Sequence, residues 1–310
     1  MSDLVIDKNH RPLGASDLTV APIAYGMWRF AGATGREAEI EANAKVETAL
    51  GAGITLFDTA DVYGLDSNAP FGAAEELFGH VLKARPALRD QMVIASKGGI
   101  IPGTPYDSSA KYLREACEAS LKRLQIETID LYQVHRPDLL THPAELAETL
   151  QTLRQEGKIR EYGLSNVTAH QIAALQAHLD HPMATQQPEL SALAIDPVTD
   201  GILDLCMATD MTPLAWSPLA GGRLTLHASE APTPQLADVI TTLDRLGGKH
   251  STSRTAIALA FVLAHPSRPI PIIGSQTPAR IADAMSALDV TLSRQDWYAV
   301  YDAALGAPLP

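Results

Sequence analysis

Apolar residues recur along this chain in two alternating forms. Short continuous runs read as buried strands, and the segments between them carry apolar residues at the i, i+3, i+4, i+7 spacing of amphipathic helices. The runs fall at 23–25, 54–57, 92–95, 129–134, 159–164, 183–186, 213–215 and 270–273. Helices are predicted at 36–50, 73–83, 144–156, 169–179, 201–209, 254–264 and 279–288. A further one is capped by Ser108 or Ser109, with Leu113, Ala116, Cys117, Ser120, Leu121 and Leu124 as its stripe. Gly51-Ala52-Gly53 reads as a helix stop, Thr168 as an N-cap, and Thr277-Pro278 as N-cap and first helical residue. Ahead of these units, Val5 and Ile6, a turn around 9–13, and Leu18 to Val20 predict a short hairpin. The rhythm breaks between 217 and 250, at the turn Ala220-Gly221-Gly222-Arg223, a polar stretch with Pro232 and Pro234, and an extra helical segment.

Eight strand–helix units with no shift of composition predict an α/β chain, one domain over 1–310. The expected architecture is a (β/α)8 TIM barrel with an N-terminal β-hairpin. An open doubly wound sheet would carry a G-x-G-x-x-G turn after its first strand; Gly26-Met27-Trp28-Arg29 stands there instead.

Composition narrows the partners. The 310 residues are 46% hydrophobic and 19% charged, an ordinary globular mixture. A net charge of -12 argues against nucleic acid or an anionic membrane surface. Cys117 and Cys206 fall on or near apolar helix stripes and read as buried thiols, with neither a disulfide framework nor zinc spacing, and no metal is expected. No signal-peptide core opens the sequence and no apolar run is long enough to span a bilayer, so a cytoplasmic protein is expected.

In such a barrel every strand ends at one face, where sites are built. Asp58 ends the second run, and Tyr63 follows it by five residues. Lys97, His135, Asn166, Gln187, Trp216 and Ser275 stand at or just beyond later strand ends. A lone Asp58 would read as a helix cap, a lone Lys97 as a loop charge, and a lone His135 as a satisfied core residue. Asp, Tyr, Lys and His at successive strand ends point to one site.

Here the sequence resembles the aldo-keto reductases. The matching pieces are Phe57-Asp58-Thr59-Ala60-Asp61-Val62-Tyr63-Gly64, Ser96-Lys97, Asp130-Leu131-Tyr132-Gln133-Val134-His135-Arg136-Pro137, Gly163-Leu164-Ser165-Asn166, Gln187-Pro188-Glu189-Leu190-Ser191, Ala215-Trp216-Ser217-Pro218-Leu219-Ala220-Gly221-Gly222 and Pro271-Ile272-Ile273-Gly274-Ser275. They run in order across nearly the whole chain, and Trp216-Ser217-Pro218-Leu219 is most similar to bacterial monomeric members, which implies a monomer.

The resemblance implies reduction of a small-molecule carbonyl by NADPH, with Tyr63 as general acid, Lys97 favouring the phenolate, Asp58 pairing with Lys97, and His135 orienting the carbonyl oxygen. It implies a carboxamide clamp of Ser165, Asn166 and Gln187. It places Trp216 under the nicotinamide, where the family usually has Tyr or Phe, and Gly26 and Met27 near the cofactor. Ser217, Pro218, Leu219, Gly221 and Arg223 would line the pyrophosphate. Gly274, Ser275, Gln276 and Arg280 would meet the adenosine 2′-phosphate, with Ala284 where the family often has a polar residue. Trp28, Arg136 and the 66–71 loop are candidate substrate contacts beside Tyr63 and His135. Two other readings stand beside this one: a Schiff-base aldolase with Lys97 as nucleophile, and a non-catalytic nicotinamide-binding regulatory subunit.

Overall fold

The structure is a computed structural model that describes residues 3–31, 35–65 and 69–310. Eight parallel strands close into a barrel: β1 (Ala24–Gly26), β2 (Leu56–Asp58), β3 (Val93–Gly98), β4 (Ile129–Val134), β5 (Ile159–Ser165), β6 (Thr185–Gln187), β7 (Thr212–Ala215) and β8 (Ile270–Ile273). Each strand pairs with its successor, and β8 pairs with β1 through Ile272↔Ala24 and Ile273↔Tyr25. The eight predicted runs are these eight strands, and two of them, β4 and β8, keep the predicted limits.

Helices wrap the outside: α1 (Arg36–Gly51), α2 (Ala73–Ala84), α3 (Ala110–Leu124), α4 (Pro143–Gln155), α5 (Ala169–Gln176), α6 (Ile202–Ala208), α7 (Pro234–His250), α8 (Arg254–Leu263), α9 (Pro278–Met285) and α10 (Arg294–Leu305). Ser109 caps α3 by accepting from the Tyr112 N–H, and Thr168 forms a capping box with Gln171 at α5. Thr277 makes no side-chain cap, and α9 starts on Pro278 without one. The extra helical segment is α7, preceded by 3-10 turns at Ala220–Thr225 and Ala228–Glu230.

Two further details differ from the sequence expectation. The hairpin pairs Arg11–Pro12 with Thr19–Val20, not Val5 and Ile6 with the later segment. Val5 is exposed, while Asp3–Leu4 pairs with Leu292–Ser293 near the other end of the chain. Helix α10 was not expected at all. It packs Trp297, Val300, Tyr301 and Ala304 inward, and a capping box between Ser293 and Asp296 starts it.

The barrel interior explains where the site lies. Side chains alternate across a strand, so residues two apart share a face. The inward row is apolar at the strand starts: Ala24, Leu56, Val93, Ala95, Leu131, Leu214 and Ile270 cluster with Leu13, Leu18 and Val20 of the hairpin, which plugs that end. Two residues further along several of these rows the residue is polar, as in Leu56 to Asp58, Ala95 to Lys97 and Leu131 to Gln133. An apolar floor therefore lies under a polar ceiling.

Candidate active site

Lys97 is the centre of the ceiling. Its side chain is fully buried, and its Nζ donates to Asp58 Oδ2 at 2.6 Å, to the Thr59 carbonyl at 2.9 Å and to the Tyr63 hydroxyl at 3.2 Å. An ammonium has three N–H donors, and all three are used. Burial works against the charge, but the Asp58 carboxylate and then Tyr63 outweigh it, and the pKa of Lys97 is raised. The group stays an ammonium at neutral pH. Breaking such a buried pair by removing one partner costs about 3–5 kcal/mol, because the other charge is left uncompensated.

Tyr63 is partly buried, with its ring 4.9 Å from Lys97 Nζ and edge-on to His135 at 5.8 Å between centroids. Burial raises its pKa above the usual phenol value, against the lowering pull of Lys97. The sequence expectation was that Lys97 tunes the phenol downward. Lys97 does pull that way, but desolvation of the phenolate is the larger effect. His135 is buried, its backbone N–H bonded to the Gly98 carbonyl. Burial first, then Lys97 and Arg136, push its pKa well below the usual imidazole value, so the ring is neutral at pH 7. Nδ1 is sealed from solvent without a partner among the described residues, which leaves Nε2 as the ring atom able to meet a substrate.

Ser165, Asn166, Gln187 and Trp216 are brought together. Asn166 Nδ2 donates to Ser165 Oγ at 2.7 Å and to the His135 carbonyl at 3.3 Å, and Ser165 Oγ donates to the Gln187 carbonyl at 3.0 Å. The Trp216 indole N–H donates to Asn166 Oδ1 at 2.8 Å. Asn166 holds φ 58, a left-handed backbone that asparagine tolerates better than most residues. Gln187 turns its Nε2 inward to Asp58 Oδ1, at 3.1 Å. With Nε2 engaged, the side-chain Oε1 is the end left to meet a carboxamide.

The guanidinium of Arg136 lies over the Trp216 ring, 5.7 Å from its centroid. Trp28 is 44% exposed at the rim and Arg29 stacks on it. Residues 66–68 of the loop expected to wall the substrate pocket lie outside the described residues.

After β7 the backbone turns sharply. Ser217, Ala220, Gly221 and Gly222 all have positive φ, a run of turns that can aim several N–H groups at an anion. Arg223 Nε holds the Ala220 carbonyl at 2.9 Å, and the residue lines a cleft with Glu189 and Gln235. Gly26 approaches Ile272 so closely that a Cβ would meet its Cγ2 at 2.8 Å. Met27 is fully buried, its N–H bonded to the Asp58 carbonyl and its carbonyl to the Phe30 N–H. Beyond β8, Gly274 and Arg280 are exposed, Ser275 and Gln276 are half-buried, and Gln276 donates to the Gly274 carbonyl. Ala284 is buried on the core side of α9.

These groups suit an extended nicotinamide dinucleotide: a flat aromatic face beside amide groups, a turn of positive-φ residues, and an arginine on the helix after β8. Sequence reasoning missed Gln133 and Thr185, both buried and polar, which complete the hydrogen bonding under Asp58. The signal was available, since Gln133 lies two residues before His135 on the inward row. A broad concavity at the opposite end of the barrel, among Asp17, Arg89, Asp130 and Arg160, is not part of this site. Arg89 and Arg160 there are already paired with Asp130 and Asp17.

Comparison with known proteins agrees with this arrangement. A family model described as the aldo/keto reductase family matches residues 22–304. A 6-dehydroglucose reductase of Novosphingobium aromaticivorans is 50% identical, over 100% of both chains. A 6-dehydroglucose reductase of Agrobacterium fabrum is 35% identical, over 93% of this chain and 96% of its own. The solved structure of the glycerol dehydrogenase AKR11B4 from Gluconobacter oxydans superposes with a TM-score of 0.83 at 29% identity, covering 98% of this chain and 97% of that one.

Proposed function

Because the chain belongs to the aldo/keto reductase family, a family of nicotinamide-dependent oxidoreductases, we propose that it reduces an aldehyde or ketone to the alcohol with NADPH, with Tyr63 as the proton donor. The observation that carries this reading is the contact of one buried ammonium with both Asp58 and the Tyr63 hydroxyl.

Bound at this mouth, a reduced nicotinamide would supply the hydride for the carbonyl carbon. The carbonyl oxygen then gains negative charge, and Tyr63 gives it the hydroxyl proton. Lys97 compensates the phenolate left behind, and Asp58 keeps Lys97 charged and in place. Neutral His135 offers its Nε2 to the same oxygen and orients it. Ser165, Asn166 and the Gln187 side-chain Oε1 would hold the carboxamide, and Trp216 would offer its flat face to the nicotinamide ring. The 217–223 turn would take the pyrophosphate, with Gly26 and Met27 at the end of β1 beside the bound cofactor. Ser275, Gln276 and Arg280 read the 2′-phosphate, aided by the start of α9.

For the substrate, the half-identical relative suggests 6-dehydroglucose, a sugar whose C6 carries an aldehyde. Trp28 would offer it an apolar face at the rim, and Arg136 a cation beside Trp216. The reading takes 1–310 as one catalytic domain, a cytoplasmic monomer. The pairing of Asp3–Leu4 with Leu292–Ser293 supports one domain. Among the described residues no helix is long and apolar enough to cross a membrane.

The aldolase reading is disfavoured by Lys97 itself. A Schiff base needs a neutral amine with an open approach, whereas Lys97 is a buried ammonium with every donor used. The complete set of Asp58, Tyr63, Lys97 and His135 speaks against a purely regulatory subunit. The test is loss of reduced-cofactor absorbance with a panel of aldehydes and ketones that includes 6-dehydroglucose. Turnover of the sugar aldehyde is expected. Tight cofactor binding with no turnover of any carbonyl would favour the regulatory reading instead.

A further inference from the structure

Asp58 has two carboxylate oxygens, and they face different partners. Oδ2 takes the Lys97 ammonium. Oδ1 accepts from Gln187 Nε2 at 3.1 Å and from Gln133 Nε2 at 3.4 Å. Gln133 is fully buried on β4, level with Lys97 on β3; the same rung continues to Gly163 and Thr185. Gly163 is required there, because a Cβ would come within 2.0 Å of Thr185 Oγ1. The space it leaves lets the Thr185 hydroxyl donate to Gln133 Oε1 at 3.3 Å, where Gln187 Nε2 also approaches at 3.4 Å.

These contacts fix the orientation of the Gln133 amide. Turned over, its oxygen would face the Asp58 carboxylate and its NH2 would face the NH2 of Gln187. The rung lies just above the apolar floor, where an amide without partners is costly. An apolar side chain of the same length would fill the space equally well if packing were its only task.

We propose that Gln133 is a positioning residue of the reduction: oriented by Thr185, its amide donates to Asp58 Oδ1, withdraws part of that carboxylate's charge, and so leaves more of the Lys97 charge for Tyr63. The inference rests on Tyr63 being the proton donor. A hydrogen bond to a carboxylate stabilises its charged form and weakens its pull on neighbouring groups. Without Gln133, Asp58 Oδ1 keeps only the Gln187 donor and exerts more of its negative charge on Lys97 and Tyr63, and the Tyr63 phenolate becomes harder to form.

The test is the titration of Tyr63 in the wild type, in Gln133→Met and in Thr185→Val. Each is compared with the same protein carrying Tyr63→Phe, so that the difference in phenolate absorbance belongs to Tyr63. A stopped-flow pH jump reads it before alkaline unfolding. The expected result for Gln133→Met is an upward shift of the Tyr63 midpoint by roughly half to one pH unit. Its kcat should fall roughly three- to tenfold, the scale of one lost hydrogen bond, with KM for both substrates unchanged. Thr185→Val never touches Asp58 and should shift the midpoint the same way by less. A midpoint that stays put or falls in Gln133→Met overturns the proposal. If that variant does not fold, an unmoved midpoint in Thr185→Val does so. Failure of the proton-donor reading would appear separately, as retained turnover in Tyr63→Phe alone.

Discussion

The indole N–H of Trp216 lies 2.8 Å from Asn166 Oδ1, tying the aromatic platform to the amide beside it. Phe at this position keeps a flat face but has no donor. Trp216→Phe should therefore keep stacking and lose the constraint on both groups. One neutral hydrogen bond is worth about 0.5–1.5 kcal/mol, so cofactor affinity should weaken roughly two- to tenfold. Titration of protein fluorescence with NADPH checks this, using the remaining tryptophans; unchanged affinity would make the contact incidental.

Arg280 should decide between the two nicotinamide cofactors. NADPH differs from NADH by a phosphate far from the hydride, and the overall charge of -12 gives no long-range attraction for it. Arg280 is exposed in the first turn of α9. Arg280→Ala should weaken NADPH binding and leave NADH nearly untouched. Charge-assisted hydrogen bonds are worth about 1.5–3 kcal/mol, so the NADPH loss should be roughly ten- to a hundredfold. Equal losses for both cofactors would remove Arg280 from the phosphate.

Asp61 should make stability depend on pH. It is fully buried, and neither carboxyl oxygen has a hydrogen-bond partner among the described residues. Nearby Glu75 is also buried and is held by Ser96 Oγ at 2.5 Å and Arg123 Nε at 2.7 Å. Burial first, then Glu75, raise the pKa of Asp61 well above 3.8. The folded state thus keeps a proton that the unfolded state releases. Asp61 should cost stability increasingly as pH rises above the unfolded value, until the folded pKa is passed. Asp61→Asn removes this dependence, so the urea midpoint of the variant should gain on the wild type between pH 5 and pH 8. Parallel profiles would show that Asp61 is ionised in both states.

The parts of the molecule differ in how plainly the sequence displays them. The strand Ile129–Val134 is a continuous apolar run bounded by polar residues, and its limits are visible directly. The set Asp58, Tyr63, Lys97 and His135 is legible because the strands leading into it, β2, β3 and β4, change from apolar to polar at one end of the barrel. The hairpin register is not legible: Arg11 is buried and reaches the Pro269 carbonyl, a partner distant in sequence. Helix α10 carries a readable stripe and capping box, but eight strand–helix units were already complete before it. Gln133 and Thr185 lay hidden for another reason. A single polar residue inside an apolar strand shows its purpose only when register places its partners beside it.

Tyr63 is the proposed acid. Its raised pKa means that the phenol is protonated throughout the neutral range, so reduction should hold steady there and decline only in strong alkali. Tyr63→Phe keeps the ring and removes the proton. Single-turnover oxidation of bound NADPH by an aldehyde, followed by absorbance in both proteins, tests the claim most directly. General acid catalysis is worth roughly 10²–10⁴-fold, and the variant should lose about that much rate with cofactor affinity nearly unchanged. Hydride transfer at a near-normal rate in Tyr63→Phe would mean that another group donates the proton.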